Sequence, residues 1–272
     1  MLRLVPTPLG NLEDITLRAL EALRSADVIL CEDTRVTKQL LFLLSQRHHI
    51  DFGHKTFHAV HEHNQKAFLQ KISPEFFAQE VVYVSDAGMP GISDPGAMLV
   101  RYAQEHDIAY EVLPGPSAAI TAFVASGFGC VRFAFYGFLP HKGAERFELL
   151  QKLLKEDKCV VLYESPHRLL KLLEELAAMV PERTVFLAKE LTKRYEQFFK
   201  DSAANLYEQF RHTPIKGEWV VVIDKGEENL STLTLSIEDI LQLPLPKKEL
   251  AKMLAKVSDK SAKEWYAILT KD

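Results

Sequence analysis

The run VSDAGMPGISDPG, residues 84–96, has the composition of a loop that brings backbone close to a small ligand. It follows the apolar run VVYV, which predicts a buried strand. Three glycines and two prolines fall within residues 88–96, and glycine lets backbone atoms approach a ligand without an intervening side chain. The run lacks the G-x-G-x-x-G spacing and the Gly-Lys-Ser/Thr ending of phosphate-binding loops, and it contains no cationic residue. It therefore predicts a site for a molecule that is not strongly anionic, with a tight ligand-free turn as the alternative.

Two further loops with few side chains follow other predicted strands. Pro6, Pro8 and Gly10 come after the first apolar run of the chain. Gly115 comes after a later apolar run, and Ser117 is placed as the N-cap of the next helix. In open α/β sheets, ligands bind beyond the carboxyl ends of the strands, so we expect the three loops to converge on one cleft. Together they predict a small-molecule site, although each loop alone is compatible with a simple turn.

Charged residues at two other strand ends are candidates for acid-base chemistry. Glu32, Asp33 and Arg35 follow the apolar run VILC, and Lys189 and Glu190 follow VFLA. A group held at a strand end can take a proton from a reacting hydroxyl. The alternatives are a salt bridge in the first turn of a helix for the first group and a solvated charge pair for the second.

Cationic residues around the run GFLPHKGAER predict contacts with phosphate groups. Lys142 and Arg146 lie within this run, and Arg132 precedes it. Lys193 and Arg194 could extend the same patch. Cationic side chains on a glycine-bearing loop suit a nucleic-acid backbone, with ordinary surface charge as the alternative.

Three histidines in the run HAVHEHN have a spacing that could suit zinc. They are His58, His61 and His63. No cysteine or carboxylate pair nearby would complete a ligand shell, so no metal is expected.

The elements that must position these residues alternate between short apolar runs and helical patterns along residues 2–224. This alternation predicts parallel βαβ units, and hence an α/β fold in which helices cover a sheet. The rhythm restarts after Pro-Gly-Pro at residues 114–116. This restart predicts an N-terminal α/β domain of residues 1–114 and a second α/β domain of residues 115–225.

The C-terminal residues differ in composition from both domains. Residues 226–246 predict a linker, and residues 247–272 predict a small helical module. Lys248, Lys252 and Lys256 share one face of a helix. That face is either solvated or in contact with RNA.

Composition limits the classes of protein to which the chain can belong. Its 272 residues are 47% apolar and 26% charged, the balance of a globular protein. The net charge of −4 excludes a basic field over the whole surface, so nucleic-acid binding would need local patches. The three cysteines show no pairing or zinc spacing, and we expect a reducing, cytoplasmic location. No signal peptide or apolar run of about 20 residues is present, so no membrane partner is expected.

A series of motifs in fixed order gives the chain a specific resemblance over residues 2–225. It resembles a family of small-subunit ribosomal RNA methyltransferases within the tetrapyrrole-methylase superfamily. The motifs are VPTPLGNLEDITLRALEAL, CEDTR, HEHN, VSDAGMPGISDPG, PGPSAAITA, GFLP, YESPHRL, LAKELTK and KGEWVVVI. The lysine-rich C-terminal residues resemble the small helical module of the same family.

The resemblance implies two consecutive α/β domains of the class III S-adenosylmethionine methyltransferase type, with the methyl donor in the cleft between them. It implies transfer of a methyl group to the ribose 2′-hydroxyl of a decoding-centre cytidine in the 16S rRNA of the small ribosomal subunit, by a homodimer. The cofactor that the resemblance implies is S-adenosylmethionine, a molecule with a cationic sulfonium and no phosphate. Carried over by motif, the donor pocket is lined by Leu9, Asp86, Ala87, Gly88, Ile92, Ser117, Ala118, Tyr163 and Glu164.

Roles for the charged residues complete the hypothesis, and two alternatives to it remain. The candidates for catalysis are Asp33, Lys189 and Glu190. The candidates for RNA binding are Glu32, Arg35, Lys142, Arg146 and Lys193. One alternative is a methylase that acts on a tetrapyrrole or another small metabolite. The other is an RNA-binding module without catalytic activity.

Overall fold

The computed structural model describes residues 1–92, 94–226, 237–258 and 260–270. The chain divides into two compact units, Met1–Gly226 and Glu227–Asp272. No helix among these described residues is long and apolar enough to cross a lipid bilayer. The chain is not divided at residue 114, which lies inside the first compact unit, so the boundary predicted there stays a prediction.

The first sheet is entirely parallel and has the strand order β3-β2-β4-β1-β5. Its strands are β1 Leu2–Leu4, β2 Val28–Cys31, β3 Thr56–Ala59, β4 Val81–Val84 and β5 Tyr110–Val112. The helices between them are α1 Leu17–Ser25, α2 Thr34–His48, α3 Gln65–Lys71 and α4 Gly96–Glu105. Strands β2 and β4 are buried at every residue, as expected for parallel strands that are covered on both faces.

The second sheet is mixed and has the strand order β6-β7-β10-β8-β9. Its strands are β6 Phe133–Phe138, β7 Cys159–Glu164, β8 Thr184–Lys189, β9 Gln197–Ser202 and β10 Trp219–Ile223. Its helices are α5 Ala118–Ser126, α6 Ala144–Leu153, α7 Pro166–Met179 and α8 Ala203–Phe210. Helices α6, α7 and α8 contribute to one apolar core, and α5 contributes to another.

The prediction of parallel units is wrong for three of the four neighbouring pairs in this sheet, because β9 and β10 run opposite to the other strands. Only β6 and β7 are parallel, whereas β10 runs antiparallel to both β7 and β8, and β8 runs antiparallel to β9. Residues 190–196 connect β8 to β9. A parallel pair needs a crossover of about a dozen residues or more, so this short connection permits only an antiparallel pair.

Strand β6 contains an irregularity that changes the direction of its last side chains. Phe135 pairs with Val161, but Phe138 pairs with Tyr163, so three residues of β6 span two residues of β7. The backbone of Gly137 has a φ of 62°, in the left-handed region that favours glycine. An extra residue of this kind is a β-bulge.

The cysteines correct another prediction. Cys130 and Cys159 form a disulfide, although no pairing was expected from their spacing, and Cys31 is a buried free thiol. The pairing follows from the neighbouring strands β6 and β7, because the amide of Cys159 at the start of β7 donates to the carbonyl of Arg132 just before β6. Sequence spacing does not reveal such an adjacency.

The second unit is a small helical module with its own core. It contains α9 Ile237–Leu241, α10 Lys247–Leu254 and α11 Ala262–Thr270. Its core consists of Ile240, Leu250, Ala251, Leu254 and Trp265. The linker predicted at residues 226–246 lies partly outside the described residues, and its described part includes α9.

Candidate functional site

A cavity of about 350 Å³ lies where loops of the first sheet meet strands of the second. Residues after β1, β4 and β5 form one wall, and residues of β6, β7, β8 and β10 form the other. Eight of the nine residues predicted for the donor pocket line this cavity, and the ninth, Asp86, is next to them in the chain. The structure therefore brings these residues together, while their role in holding a donor stays a prediction.

Backbone hydrogen bonds join two of the loops. The amide of Thr7 donates to the carbonyl of Gly88 over 3.0 Å, and the amide of Gly88 donates to the carbonyl of Thr7 over 3.1 Å. Gly88 has a φ of 82°, and a Cβ atom at this position would lie 2.9 Å from Cδ2 of Leu9. Glycine is therefore required here by both conformation and space.

The side chain of Asp94 holds the bend of the loop after β4. Its Oδ1 accepts hydrogen bonds from the amides of Gly91 and Gly96 over 2.7 Å and 2.8 Å. This one carboxylate oxygen joins the amides at the two ends of the bend. The Asp94 side chain therefore shapes the cavity wall.

Ser117 presents an unused hydroxyl at the cavity. It is the N-cap of α5, but its side chain makes no capping hydrogen bond. Its Oγ is buried and has no hydrogen-bond partner within the described part of the chain. A buried hydroxyl without a partner is costly, so this oxygen is available to a ligand in the cavity.

Glu164 belongs to a buried ionic network behind the cavity wall. Its carboxylate lies 3.3 Å from Nε of Arg168 and 3.7 Å from Nη1 of Arg146, and it accepts the Ser165 amide over 2.9 Å. Burial raises the pKa of Glu164, while the Ser165 amide and the two guanidinium groups act in the opposite direction. Glu164 lines the cavity, yet its carboxylate already has partners in the protein.

The prediction that Arg146 binds RNA is corrected by this network. Arg146 is only 2% exposed, and its Nη2 lies 2.9 Å from a carboxylate oxygen of Glu175. It also donates to the carbonyl of Pro140 over 3.1 Å. A guanidinium this deeply buried cannot contact a phosphate group, so Arg146 supports the fold behind Glu164.

Three carboxylates at the ends of β2 and β4 have different electrostatic states. The amide of Asp86 donates to Oε1 of Glu32 over 3.1 Å, and the amide of Asp33 donates to Oδ1 of Asp86 over 3.2 Å. Burial raises the pKa of both Glu32 and Asp86. Hydrogen bonds from the Arg35 side chain and backbone instead lower the pKa of Asp33 to about 2. Asp33 is therefore a weak proton acceptor, and Arg35 is paired with it.

The loop after β8 is held by its own charged side chains. Oε1 of Glu190 accepts the amide of Glu218 over 2.8 Å and lies 3.3 Å from Nζ of Lys193. Burial acts to raise the pKa of Glu190, but these hydrogen bonds outweigh it and lower the pKa. Glu190 and Thr192 both have left-handed backbones, with φ values of 51° and 63°. These contacts hold Glu190 and Lys193 in a strained loop. The catalytic role predicted for Glu190 and the RNA contact predicted for Lys193 stay predictions.

Two glycines make room for this loop. A Cβ at Gly10 would lie 2.2 Å from Cγ of Lys193, and a Cβ at Gly217 would lie 2.7 Å from Cγ of Glu190. The amide of Asn11 also donates to Oγ1 of Thr192 over 3.1 Å. The loop after β8 is thereby packed against the loop after β1.

The remaining predicted residues, Lys189 and Lys142, do not line the cavity. Nζ of Lys189 donates to Oε1 of Gln197 over 3.4 Å and lies 5.8 Å from the ring of Trp219. Lys142 is exposed. Its role in binding RNA stays a prediction.

The histidines are not gathered around a common point. The ring of His58 packs against Phe68 and Phe76, and His61 and His63 have ring centroids 6.1 Å apart. A group of potential metal ligands in the described chain is Cys130, Cys159 and Asp224, but its two sulfurs are joined in the disulfide. Thiolates, not disulfide sulfurs, are the ligands that metals take.

Several residues of the cavity were not predicted from the sequence. They are Met89, Phe138, Ser165, Pro166, Ala188, Leu191, Glu218, Trp219 and Val220. Because β10 runs antiparallel to β7 and β8, its first residues lie at the carboxyl ends of those strands. The expectation of parallel strands hid this contribution, although the motif KGEWVVVI contains the residues concerned.

Comparison with known proteins relates the chain to methyltransferases. A family model described as Tetrapyrrole (Corrin/Porphyrin) Methylases matches residues 1–207. A Campylobacter fetus protein named Ribosomal RNA small subunit methyltransferase I is 43% identical over 98% of the chain and 98% of its own length. A protein of the same name from Helicobacter pylori (strain ATCC 700392 / 26695) is 46% identical over 98% of the chain and 96% of its own length.

Solved structures share the fold at low sequence identity. Uroporphyrin-III C-methyl transferase from Thermus thermophilus, complexed with S-adenyl homocysteine, has a TM-score of 0.56 and 18% identity, over 81% of this chain and 96% of that chain. Cobalt precorrin-4 methyltransferase has a TM-score of 0.61 and 18% identity, over 82% of this chain and 94% of that chain. The predicted α/β fold class with two sheets and a helical C-terminal module is confirmed.

Proposed function

Because the chain belongs to the tetrapyrrole methylase family, we propose that it transfers a methyl group from S-adenosylmethionine to the RNA of the small ribosomal subunit. The observation that carries this proposal is the largely apolar cavity built from glycine-bearing loops, with no lysine, arginine or histidine among its lining residues. A cationic donor without phosphate suits such a wall. The names of the relatives at 43% and 46% identity supply the substrate class.

The residues present fit S-adenosylmethionine, which supplies an electrophilic methyl group when it is bound. The cavity of about 350 Å³ falls within the range of small-molecule sites. Apolar side chains such as Leu9 and Ile92 suit the adenosine group, and the free Oγ of Ser117 offers a hydrogen bond. The glycine at position 88 lets the backbone approach the ligand.

The chain must also align the acceptor oxygen and remove its proton. Alignment of two reactants contributes much of the rate of such a displacement. A ribose hydroxyl is a weak acid, so a base assists the reaction. We place this base on the pair Glu32 and Asp86, because burial raises the pKa of both carboxyls. Asp86 immediately precedes the lining residue Ala87, and its amide donates to Glu32. This assignment replaces Asp33, whose pKa of about 2 makes it a poorer proton acceptor.

The finer substrate and the assembly are part of the same proposal. The acceptor is the 2′-hydroxyl of a decoding-centre cytidine in 16S rRNA, and the exposed Lys142 supports contact with its phosphates. The active particle is a homodimer, supported by exposed apolar residues on α5 such as Ile120 and Val124. Analytical ultracentrifugation would show a dimer mass.

Transfer of a radioactive methyl group tests the function. Small ribosomal subunits from cells that lack the modification are incubated with labelled S-adenosylmethionine and the protein, beside free 16S rRNA and a tetrapyrrole precursor. We expect label on the subunits and 2′-O-methylcytidine in their digested RNA. Label on the tetrapyrrole alone would establish a small-metabolite methylase, and donor binding with no transfer to any substrate would contradict the proposal.

The base is tested with two variants of equal size. We expect Glu32→Gln or Asp86→Asn to lower the rate of transfer by about a hundredfold, the typical contribution of a positioned base. Donor affinity should persist in Glu32→Gln, because Glu32 is not among the residues predicted to hold the donor. Asp33→Asn is the control and retains more activity. If both pair variants keep the wild-type rate, neither carboxylate is the base.

A further inference from the structure

Phe138 is an exposed aromatic side chain on the wall of the cavity. It is 54% exposed, although phenylalanine usually lies inside a protein. Its ring is in edge contact with Tyr163, with centroids 5.6 Å apart, and both residues line the cavity. The ring therefore has support on one side and an open surface on the other.

The β-bulge in β6 is the reason that Phe138 lies on this side of the sheet. Phe135 packs with the α5 core, and the next residue, Tyr136, packs with the core of α6, α7 and α8. Strict alternation would send Phe138 to the Tyr136 side and Leu139 to the Phe135 side. In the structure Leu139 is buried with Tyr136, and Phe138 contacts Tyr163. The left-handed Gly137 thus exchanges the two positions, and the backbone presents an aromatic ring to the cavity.

Shortly after Phe138 in the chain come side chains that suit the polar part of a nucleotide. His141 and Lys142 follow in the same loop, and both are exposed. An aromatic face beside cationic side chains is the arrangement that holds an unpaired nucleotide, with the base on the ring and the phosphate on the cation. Chemistry on a single nucleotide of folded RNA also requires that nucleotide to leave its stack.

We propose that Phe138 is the platform on which the base of the acceptor nucleotide stacks while its ribose faces the methyl donor. This inference rests on the proposed function and adds a binding subsite for a nucleobase. The edge contact with Tyr163 fixes the plane of the platform, and the bulge at Gly137 fixes its side of the sheet.

Variants of Phe138 separate stacking from simple apolar contact. Phe138→Leu keeps an apolar side chain but loses the flat ring, whereas Phe138→Trp keeps the ring. We expect Phe138→Ala and Phe138→Leu to lower kcat/KM for small subunits by about ten- to a hundredfold, and Phe138→Trp to remain near wild type. Phe147→Ala is the matched control, because Phe147 is 51% exposed on α6 and does not line the cavity.

Fluorescence reports stacking without relying on catalysis. An RNA hairpin carries pyrrolocytidine, whose emission falls on stacking, at the acceptor position. We expect quenching by the wild type, Phe138→Trp and Phe147→Ala, and none by Phe138→Leu. Donor affinity measured by calorimetry is expected to be the same in all variants.

Three results would overturn the proposal. They are equal quenching by wild type and Phe138→Leu, a loss of donor affinity in Phe138→Ala that matches its loss of rate, and a lower oligomeric mass in Phe138→Ala. The second would place the ring against the donor, and the third would place it between copies of the chain. Absence of methyl transfer by the wild type would refute the proposed function alone, since quenching still measures the platform.

Discussion

Replacing Gly88 with alanine tests how the loop after β4 shapes the cavity. Gly88 has a φ of 82°, and a left-handed backbone costs a residue with a side chain about 1–3 kcal/mol. The new Cβ would also lie 2.9 Å from Cδ2 of Leu9, so Leu9 must rotate. Because Leu9 lines the cavity, we expect the variant to bind S-adenosylmethionine about tenfold more weakly, equivalent to about 1.4 kcal/mol.

Gly53→Ala is the matched control for this experiment. Gly53 has a φ of 65°, but nothing lies within 4 Å of a Cβ built there, and it does not line the cavity. We therefore expect both variants to lose about 1–3 kcal/mol of unfolding free energy in urea from backbone strain, and Gly88→Ala to lose more because of its contact with Leu9. Only Gly88→Ala should lose donor affinity in calorimetry. Equal donor affinity in the two variants would refute the link between Gly88, Leu9 and the cavity.

Three further perturbations follow from the charges and the disulfide. Asp33 has its pKa lowered to about 2 by the Arg35 side chain, so its contribution to stability is present above its ordinary pKa of 3.8 and is lost as pH falls towards 2. Urea unfolding should show that Asp33→Asn is less stable than wild type at pH 7, and that the difference shrinks below pH 3.8 and disappears only below about pH 2. Arg146→Ala removes one cationic partner from the buried Glu164 and one from the partly buried Glu175, and should cost about 3–5 kcal/mol in urea unfolding. An unchanged midpoint would show that Arg146 adds nothing to stability. Cys130→Ser removes the link to β7 and should cost about 2–4 kcal/mol under oxidising conditions. The same variant should match the wild type once both are reduced, and a persistent difference would point to packing instead of the bond.

The first sheet was the part of the fold most open to prediction. The runs VILC and VVYV became β2 and β4, fully buried, because strands covered on both faces require continuous apolar sequence. The direction of the later strands was not predictable from periodicity. Strand β10 is as apolar and as buried as a parallel strand. Its antiparallel pairing with β7 depends on its position in the sheet, which the sequence pattern does not show.

The loops of the site were predicted from the sequence, whereas the residues whose positions depend on side-chain packing were not. Glycine and proline mark the loops that line the cavity, and these residues are visible in the sequence. Arg146 illustrates the opposite case, because a charged residue beside a loop suggests a surface group, and only its burial with Glu175 shows otherwise. Phe138 was hidden for a related reason, since alternation along β6 misplaces it unless the bulge at Gly137 is known.

The packing of the loop after β8 against two glycines has an evolutionary consequence. Lys193 occupies the space that a side chain at position 10 would need, and Glu190 occupies the space that a side chain at position 217 would need. Neither glycine can be replaced by a residue with a side chain while its charged neighbour is retained. Among descendants of this sequence, a larger residue at position 10 should therefore appear only together with a shorter one at position 193. The loop after β1 and the loop after β8 would then change in a correlated way.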